Sequence, residues 1–162
     1  MKTGVLVAGE GPSIWVFGDR YTIKCGGNDT SGAFAMVEAI VFPGGGPPPH
    51  IHRREDEASY VLDGELEFHV DGQTFPATSG AWVKLERGSL HFFRNTGTKP
   101  ARMLIMVTPA GLEEFFKEIG RTAVDGETEP VVPTQGDIDK LLEAAPGYGI
   151  EIRMTAGNGT SK

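Results

Sequence analysis

The chain has 162 residues, with 15 basic and 22 acidic side chains and a formal net charge of −7. This length fits one domain with a substantial core, and the acidic balance argues against nucleic acid as the main partner because phosphate binding needs a basic surface. The single cysteine, Cys25, excludes an intrachain disulfide and fits a reducing cytoplasm. No stretch approaches the ~18 apolar residues of a membrane span and no signal peptide is evident, so we expect a cytoplasmic protein without a membrane partner.

Short apolar runs separated by glycine and proline predict strands joined by tight turns up to Thr108. Residues 33–42 form the first clear run, and the prolines at 47–49 predict an extended approach to His50. Asp63-Gly64 and Asp71-Gly72 are hairpin signals, so we expect one hairpin between 59–62 and 66–70 and a second into 74–76. Strands at 82–85, 91–94 and 102–108 complete the series. Alternation over 65–70 predicts that Leu66, Phe68 and Val70 face the core and that Glu65, Glu67 and His69 face outward.

After Thr108 the apolar period changes from two to about 3.6. Thr108 is a candidate helix cap before Pro109, and the apolar stripe comprises Leu112, Phe115, Phe116 and Ile119, ended by Gly120. A second helix is expected near 137–145, with Ile138, Leu141 and Leu142 inward. The expected organisation is a single domain over 1–153, with a barrel at about 33–108, N-terminal strands within 1–32, a helical segment at 109–153 and a flexible tail at 154–162.

Three of the four histidines lie in two short segments whose spacing indicates one metal site. His50 and His52 are two residues apart, so on a strand they face the same side and can chelate one ion. Imidazole nitrogens and a carboxylate oxygen suit a divalent first-row metal. The first segment has the pattern G-x5-H-x-H-x4-E-x6-G, from Gly44 through Glu57 to Gly64. The second is G-x5-E-x-G-x2-H-x3-N and contains His91.

These two patterns resemble the signature motifs of the cupin superfamily over about residues 37–108. The one departure is Glu86, where the family pattern has proline. The resemblance implies an all-β fold, the cupin double-stranded β-helix or jelly-roll barrel, here with C-terminal helices. It also implies that His50, His52, Glu57 and His91 bind one divalent transition metal (Fe, Ni, Mn, Co, Cu or Zn) inside the barrel, and that the chain forms a homodimer.

Alternation places further side chains beside the predicted ligands. Ser59 and Val61 should share the face of Glu57, Phe93 should share that of His91, and Phe68 is a candidate to help close a mostly apolar pocket. Plain barrel core is the alternative for these residues, and it is favoured for Phe68. Glu55 and Asp56 are expected in a solvated charge run, and His69 on the surface. For Glu38, within an apolar strand, a rim or surface position is favoured over an inward one.

Residues 47–57 and 108–116 are similar to single-domain cupins grouped with quercetin 2,3-dioxygenase. That resemblance implies a metal-dependent dioxygenase that cleaves an enol-bearing aromatic or dicarbonyl compound with O2, with Glu57 as ligand and general base. A non-redox isomerase, cyclase or decarboxylase and a non-catalytic binding protein stay open, because a fold does not fix a reaction.

Overall fold

The computed structural model describes residues 4–124 and 126–153, so the tail expected at 154–162 lies outside the described residues. Twelve strands are present in this part of the chain: β1 Ser13–Val16, β2 Asp19–Cys25, β3 Ala35–Val41, β4 His50–His52, β5 Asp56–Asp63, β6 Glu65–Val70, β7 Gln73–Thr78, β8 Trp82–Leu85, β9 Leu90–Asn95, β10 Ala101–Thr108, β11 Arg121–Thr122 and β12 Ile150–Ile152. The helices are α1 Gly27–Thr30, α2 Leu112–Ile119 and α3 Gln135–Ala144, and a 3₁₀ turn covers Ala145–Tyr148.

The strands form two antiparallel sheets. The seven-stranded sheet has the order β11-β1-β2-β3-β10-β5-β8, and the five-stranded sheet has the order β12-β4-β9-β6-β7. Strands distant in sequence are neighbours in both sheets, which is the arrangement of a double-sheet jelly roll. The predicted all-β jelly-roll fold is confirmed.

The core lies between the two sheets. Alternate residues of β3, namely Val37, Ala39 and Val41, are at most 4% exposed and face the barrel interior. On β6, Leu66 and Phe68 are buried as the alternation predicted. Because side chains alternate along each strand, both sheets present apolar inner faces that pack together.

The expected hairpin at Asp63-Gly64 is wrong. Its two strands, β5 and β6, belong to different sheets, and the turn between them carries the chain across the barrel. Gly64 has φ +89°, and a Cβ there would lie 2.7 Å from the Cα of Ala101, so the corner needs glycine. The second hairpin is confirmed: Val70 pairs with Gln73 across Asp71-Gly72.

Both C-terminal helices begin elsewhere than expected. Thr108 does not cap α2; it is the last residue of β10, paired with Asp56, and Gly111 precedes the helix. The apolar stripe of α2 is confirmed, since its side chains are buried or packed against the core: Leu112, Phe115, Phe116 and Ile119. In α3, Thr134 is the N-cap.

The inward side of α3 differs from the expected one. Its buried side chains are Leu141 and Ala144, three residues apart and therefore on one helix face. Leu142 is turned away from that face and is 43% exposed, so its predicted inward position is wrong. Among the described helices, none is long and apolar enough to cross a membrane.

Candidate metal centre and cavity

Three imidazoles meet on the inner face of the five-stranded sheet. His50 and His52 are alternate residues of β4, and His50 lies directly opposite His91 on β9. One ring nitrogen from each of these residues lies within 4.8 Å of the other two. The strand register therefore brings together the two histidine segments that the sequence singled out.

Neighbouring main-chain groups orient two of these rings. His50 Nδ1 lies 2.8 Å from the carbonyl oxygen of Pro48, and His91 Nδ1 lies 3.1 Å from that of Ser89. Since a carbonyl oxygen only accepts, each Nδ1 carries the proton and each Nε2 keeps its lone pair. Histidines that bind metals are commonly held in this way.

Glu55 orients the third ring. It is 5% exposed, so its expected place in a solvated charge run is wrong. Its Oε2 lies 3.4 Å from His52 Nδ1, while the neighbouring Arg53 and Arg54 are exposed. The chain turns just before β5 begins at Asp56, and this turn directs Glu55 inward. Asp56 itself is half-buried and accepts a hydrogen bond from the main-chain NH of Arg87.

Glu57 adds a buried carboxylate beside the histidines. Its Oε2 lies 3.6 Å from His52 Nε2 and 3.9 Å from His91 Nε2, and the residue is 6% exposed. Ser59 donates a long hydrogen bond of 3.5 Å to its Oε1. Within residues 4–124 and 126–153, no lysine or arginine forms an ion pair with Glu57.

The donor set fits a divalent metal ion. Burial lowers the pKa of His50 and of His91, so both rings are neutral near pH 7 with lone pairs available. His91 Nε2 is buried without a hydrogen-bond partner, although leaving such a nitrogen unpaired costs free energy. Three neutral imidazoles and one carboxylate around a divalent cation leave a net charge of +1. A cation would therefore satisfy groups that the described protein atoms do not.

His50, His52 and Glu57 lie on the wall of a cavity of about 60 Å³. Its lining is mostly apolar and comes from both sheets and from α2 and α3: Val16, Phe17, Asp19, Tyr21, Gly46, Pro47, Pro48, His50, His52, Glu57, Phe93, Ile105, Leu112, Phe115, Phe116, Ile119, Leu141, Ile150 and Ile152. Phe17, Pro47 and Ile152 are only half-buried. A mostly apolar cavity with a few polar groups on its wall suits a small organic molecule.

Of the four pocket residues expected from the sequence, one lines the cavity. Phe93 lines the cavity. Ser59, Val61 and Phe68 are at most 1% exposed and are not among its lining residues. Ser59 instead contacts Glu57. His69 is half-buried at the outer side of β6, where its Nε2 lies 2.8 Å from Oε1 of Glu67.

Sequence reasoning missed two polar lining residues, Asp19 and Tyr21, which are 1% and 4% exposed. They are alternate residues of β2, so their spacing carried a signal that both face one side. Asp19 Oδ1 accepts the main-chain NH of Phe42, and burial raises the pKa of Asp19 to about 7. It thereby ties β2 to the loop that leads to His50.

A jelly roll with a histidine-rich candidate metal centre inside the barrel is thus the class of protein that the fold and the site define. The cupin domain family matches residues 37–107. Protein SchB from Streptomyces halstedii is 33% identical over 103 residues, which are 62% of this chain and 74% of SchB. The chain belongs to the cupin family.

Two further comparisons bear on fold and function. Quercetin 2,3-dioxygenase from Bacillus subtilis is 26% identical over 142 residues, 87% of this chain but only 42% of that protein. This chain spans about half or less of the length of the first curated relatives it matches. A predicted oxalate decarboxylase from Thermotoga maritima has the same fold, with a TM-score of 0.61, 21% identity and coverage of 66% of this chain and 99% of that structure.

Proposed function

We propose that this cupin is a metal-dependent dioxygenase of the quercetinase type, acting on an enol-bearing aromatic or dicarbonyl compound. The observation that carries the proposal is the meeting of three imidazoles and one buried carboxylate beside an apolar cavity, with His50, His52 and Glu57 on its wall. Such a site combines donors for a metal with space for an organic guest.

In this proposal His50, His52, Glu57 and His91 hold one divalent ion. Fe, Ni, Mn, Co, Cu and Zn all accept imidazole and carboxylate ligands, so the donor set leaves the metal's identity open. When bound, the metal would act as a Lewis acid for the enol oxygen and as a template for substrate and O2. The hydrogen bonds at Nδ1 of His50 and His91 keep the opposite nitrogens available.

Glu57 is proposed as the general base as well as a ligand. A carboxylate that is buried beside histidines, with only a long hydrogen bond from Ser59, is weakly satisfied and can accept the enol proton. Phe93 and the apolar residues of α2 cover the cavity and exclude water from the reacting groups. Both atoms of O2 would enter the cleaved product, so the reaction needs no external reductant.

The similarity to quercetin 2,3-dioxygenase supports this reaction because it covers 87% of the chain. The identity is 26%, and a shared fold permits several chemistries. The activity therefore depends on a direct test.

The test is anaerobic incubation of metal-loaded protein with a panel of flavonols and 1,3-dicarbonyl compounds, followed by admission of ¹⁸O₂. We expect O2 uptake equal to substrate loss and two labelled oxygen atoms in the organic product. Absence of turnover in the iron, nickel, manganese and cobalt forms would contradict the proposal. Turnover without O2 would instead support the non-redox isomerase, cyclase or decarboxylase, and binding without turnover would support a non-catalytic protein.

The proposal includes a homodimer in the cytoplasm. Tyr60, Trp82 and Met106 are 44%, 62% and 37% exposed on the outer side of neighbouring strands β5, β8 and β10. Adjacent apolar side chains of this kind are typical of interfaces between copies. Light scattering coupled to size-exclusion chromatography should give twice the chain mass of 17.4 kDa, and a monomer would contradict the dimer.

A further inference from the structure

The polar side chains that line the cavity differ in how many polar partners the protein gives them. Besides His50 and His52, they are Asp19, Tyr21 and Glu57. Asp19 accepts main-chain hydrogen bonds from Phe42 and Gly46, and Glu57 lies among the histidines and Ser59. Tyr21 is the remaining member of this set.

The Tyr21 hydroxyl has no hydrogen-bond partner among residues 4–124 and 126–153. The residue is 4% exposed, and its ring packs against Phe116 of α2 at 4.8 Å between centroids. Tyr21 lines the cavity, and a phenylalanine ring would fill the same place. The hydroxyl is therefore available to pair with a ligand that enters the cavity.

Tyr21 can act only as a neutral group in this position. Burial, with the nearby carboxylates of Asp19 and Glu57, holds the pKa of Tyr21 well above its usual value. A protonated phenol beside two carboxylates offers a hydrogen-bond donor to an oxygen of the guest. The phenol comes from the seven-stranded sheet, whereas the three histidines come from the five-stranded sheet.

We propose that Tyr21 is a specificity-determining residue, whose hydroxyl hydrogen-bonds a second oxygen of the substrate. The substrate class is then an enol-bearing aromatic compound that carries a further hydroxyl on a ring, apart from the enol. This inference rests on the proposed function for the orientation of the enol toward the histidines. The selectivity follows because a site built to pair with an oxygen rejects analogues that lack it.

The experiment measures anaerobic binding to the metal-loaded protein by absorbance titration. The probes are 3-hydroxyflavone and its derivatives with one added hydroxyl at the 5, 7, 3′ or 4′ position. Wild-type protein should bind at least one derivative about tenfold more tightly than the parent compound, the size expected for one hydrogen bond. Tyr21→Phe should lose this preference and bind the derivative and the parent compound with about equal affinity.

Tyr60→Phe is the matched control, because Tyr60 is 44% exposed on the outer side of β5. It should keep the preference, and all three proteins should hold the same amount of metal by elemental analysis. A preference retained in Tyr21→Phe, or no preference in wild type, would overturn the inference. A binding preference without O2 uptake would support the role of Tyr21 and contradict the dioxygenase. O2 uptake without a binding preference would support the dioxygenase and contradict the role of Tyr21. If no probe binds, both proposals are contradicted.

Discussion

Two buried glutamates, Glu38 on the outer face of the seven-stranded sheet and Glu57 inside the barrel, have opposite surroundings. Glu38 is 4% exposed and contacts three donors: Lys24 Nζ at 2.9 Å, Arg102 Nη2 at 2.8 Å and the main-chain NH of Gly9 at 3.1 Å. Glu57 is as deeply buried, at 6% exposed, yet it has histidines and a hydroxyl beside it and no lysine or arginine among the described residues.

This difference separates a carboxylate that the protein itself neutralises from one that lacks a cation among the described residues. Lys24 and Arg102 hold the pKa of Glu38 at about 2, so it stays ionised. A buried charge without such partners is costly. The Glu57 site therefore has the electrostatic character of a cation-binding site, and the Glu38 site that of a structural ion pair. The predictions below test this contrast.

The largest effect is expected for Glu57→Gln. The amide keeps the shape of the side chain but removes the base, so turnover should fall by about 10²- to 10⁴-fold. Steady-state O2 uptake with the best flavonol substrate measures it. Glu67→Gln, on the outer side of β6 beside His69, is the control and should keep wild-type turnover. A Glu57→Gln enzyme with more than a tenth of wild-type activity would show that another group takes the proton.

Removal of a histidine should act on the metal itself. His91→Ala deletes the buried Nε2 that has no protein partner, and we expect metal affinity to fall by more than ~100-fold, beyond the loss typical of outer partners of a ligand. Competition with a chromophoric chelator gives the affinity. His69→Ala removes the histidine paired with Glu67 and should leave the affinity unchanged. Equal affinities for both variants would contradict the proposed ligand set.

The sequence was sufficient for the strands of the core and for the histidine cluster, because both depend on spacing along one chain. Alternation placed Leu66 and Phe68 correctly, and the spacing of His50 and His52 placed them on one face. It failed where a partner is distant in sequence. Asp63-Gly64 has hairpin chemistry, but the pairing of β5 with β8 and β10 makes it a corner between sheets.

The buried glutamates show the same limit of prediction from sequence. Glu38 was expected at a rim or on the surface, and this was wrong because Lys24, Arg102 and Gly9 cover it from three separate segments. Glu55 was expected in solvent, yet a turn directs it to His52. No local pattern encodes such contacts, since acidic residues are usually exposed unless they are paired.

A loss of stability at neutral pH is expected for Glu38→Gln. The variant leaves Lys24 and Arg102 without their carboxylate partner, which should lower the free energy of unfolding by about 1–2 kcal/mol at pH 7 after allowance for the partly exposed Arg102. Urea denaturation of metal-free protein measures it. Glu86→Gln, in the exposed pair with Lys84, is the control and should show no measurable change.

The ion pairs of Glu38 with Lys24 and Arg102 also predict how the free energy of unfolding depends on pH. The folded pKa of Glu38 is about 2 against an ordinary 4.5, so the unfolded chain binds the proton more tightly. The stabilisation is therefore complete above the ordinary value and is lost as the pH falls toward 2. The difference between wild type and Glu38→Gln should shrink over that window. A difference that stays constant down to pH 3 would contradict an electrostatic origin.

The smallest effect is expected on the stability of metal-free Glu57→Gln. Its sign distinguishes the Glu57 site from the Glu38 site most clearly. Because Glu57 is buried without a cationic partner in the described part of the chain, neutralising it should raise the free energy of unfolding at pH 7 by up to ~1 kcal/mol. With metal present the sign should reverse, since a ligand that binds only the folded state stabilises it in proportion to its affinity. Urea denaturation in chelator and in saturating metal gives both values. A metal-free Glu57→Gln protein as destabilised as Glu38→Gln would mean that Glu57, too, is held by the protein alone.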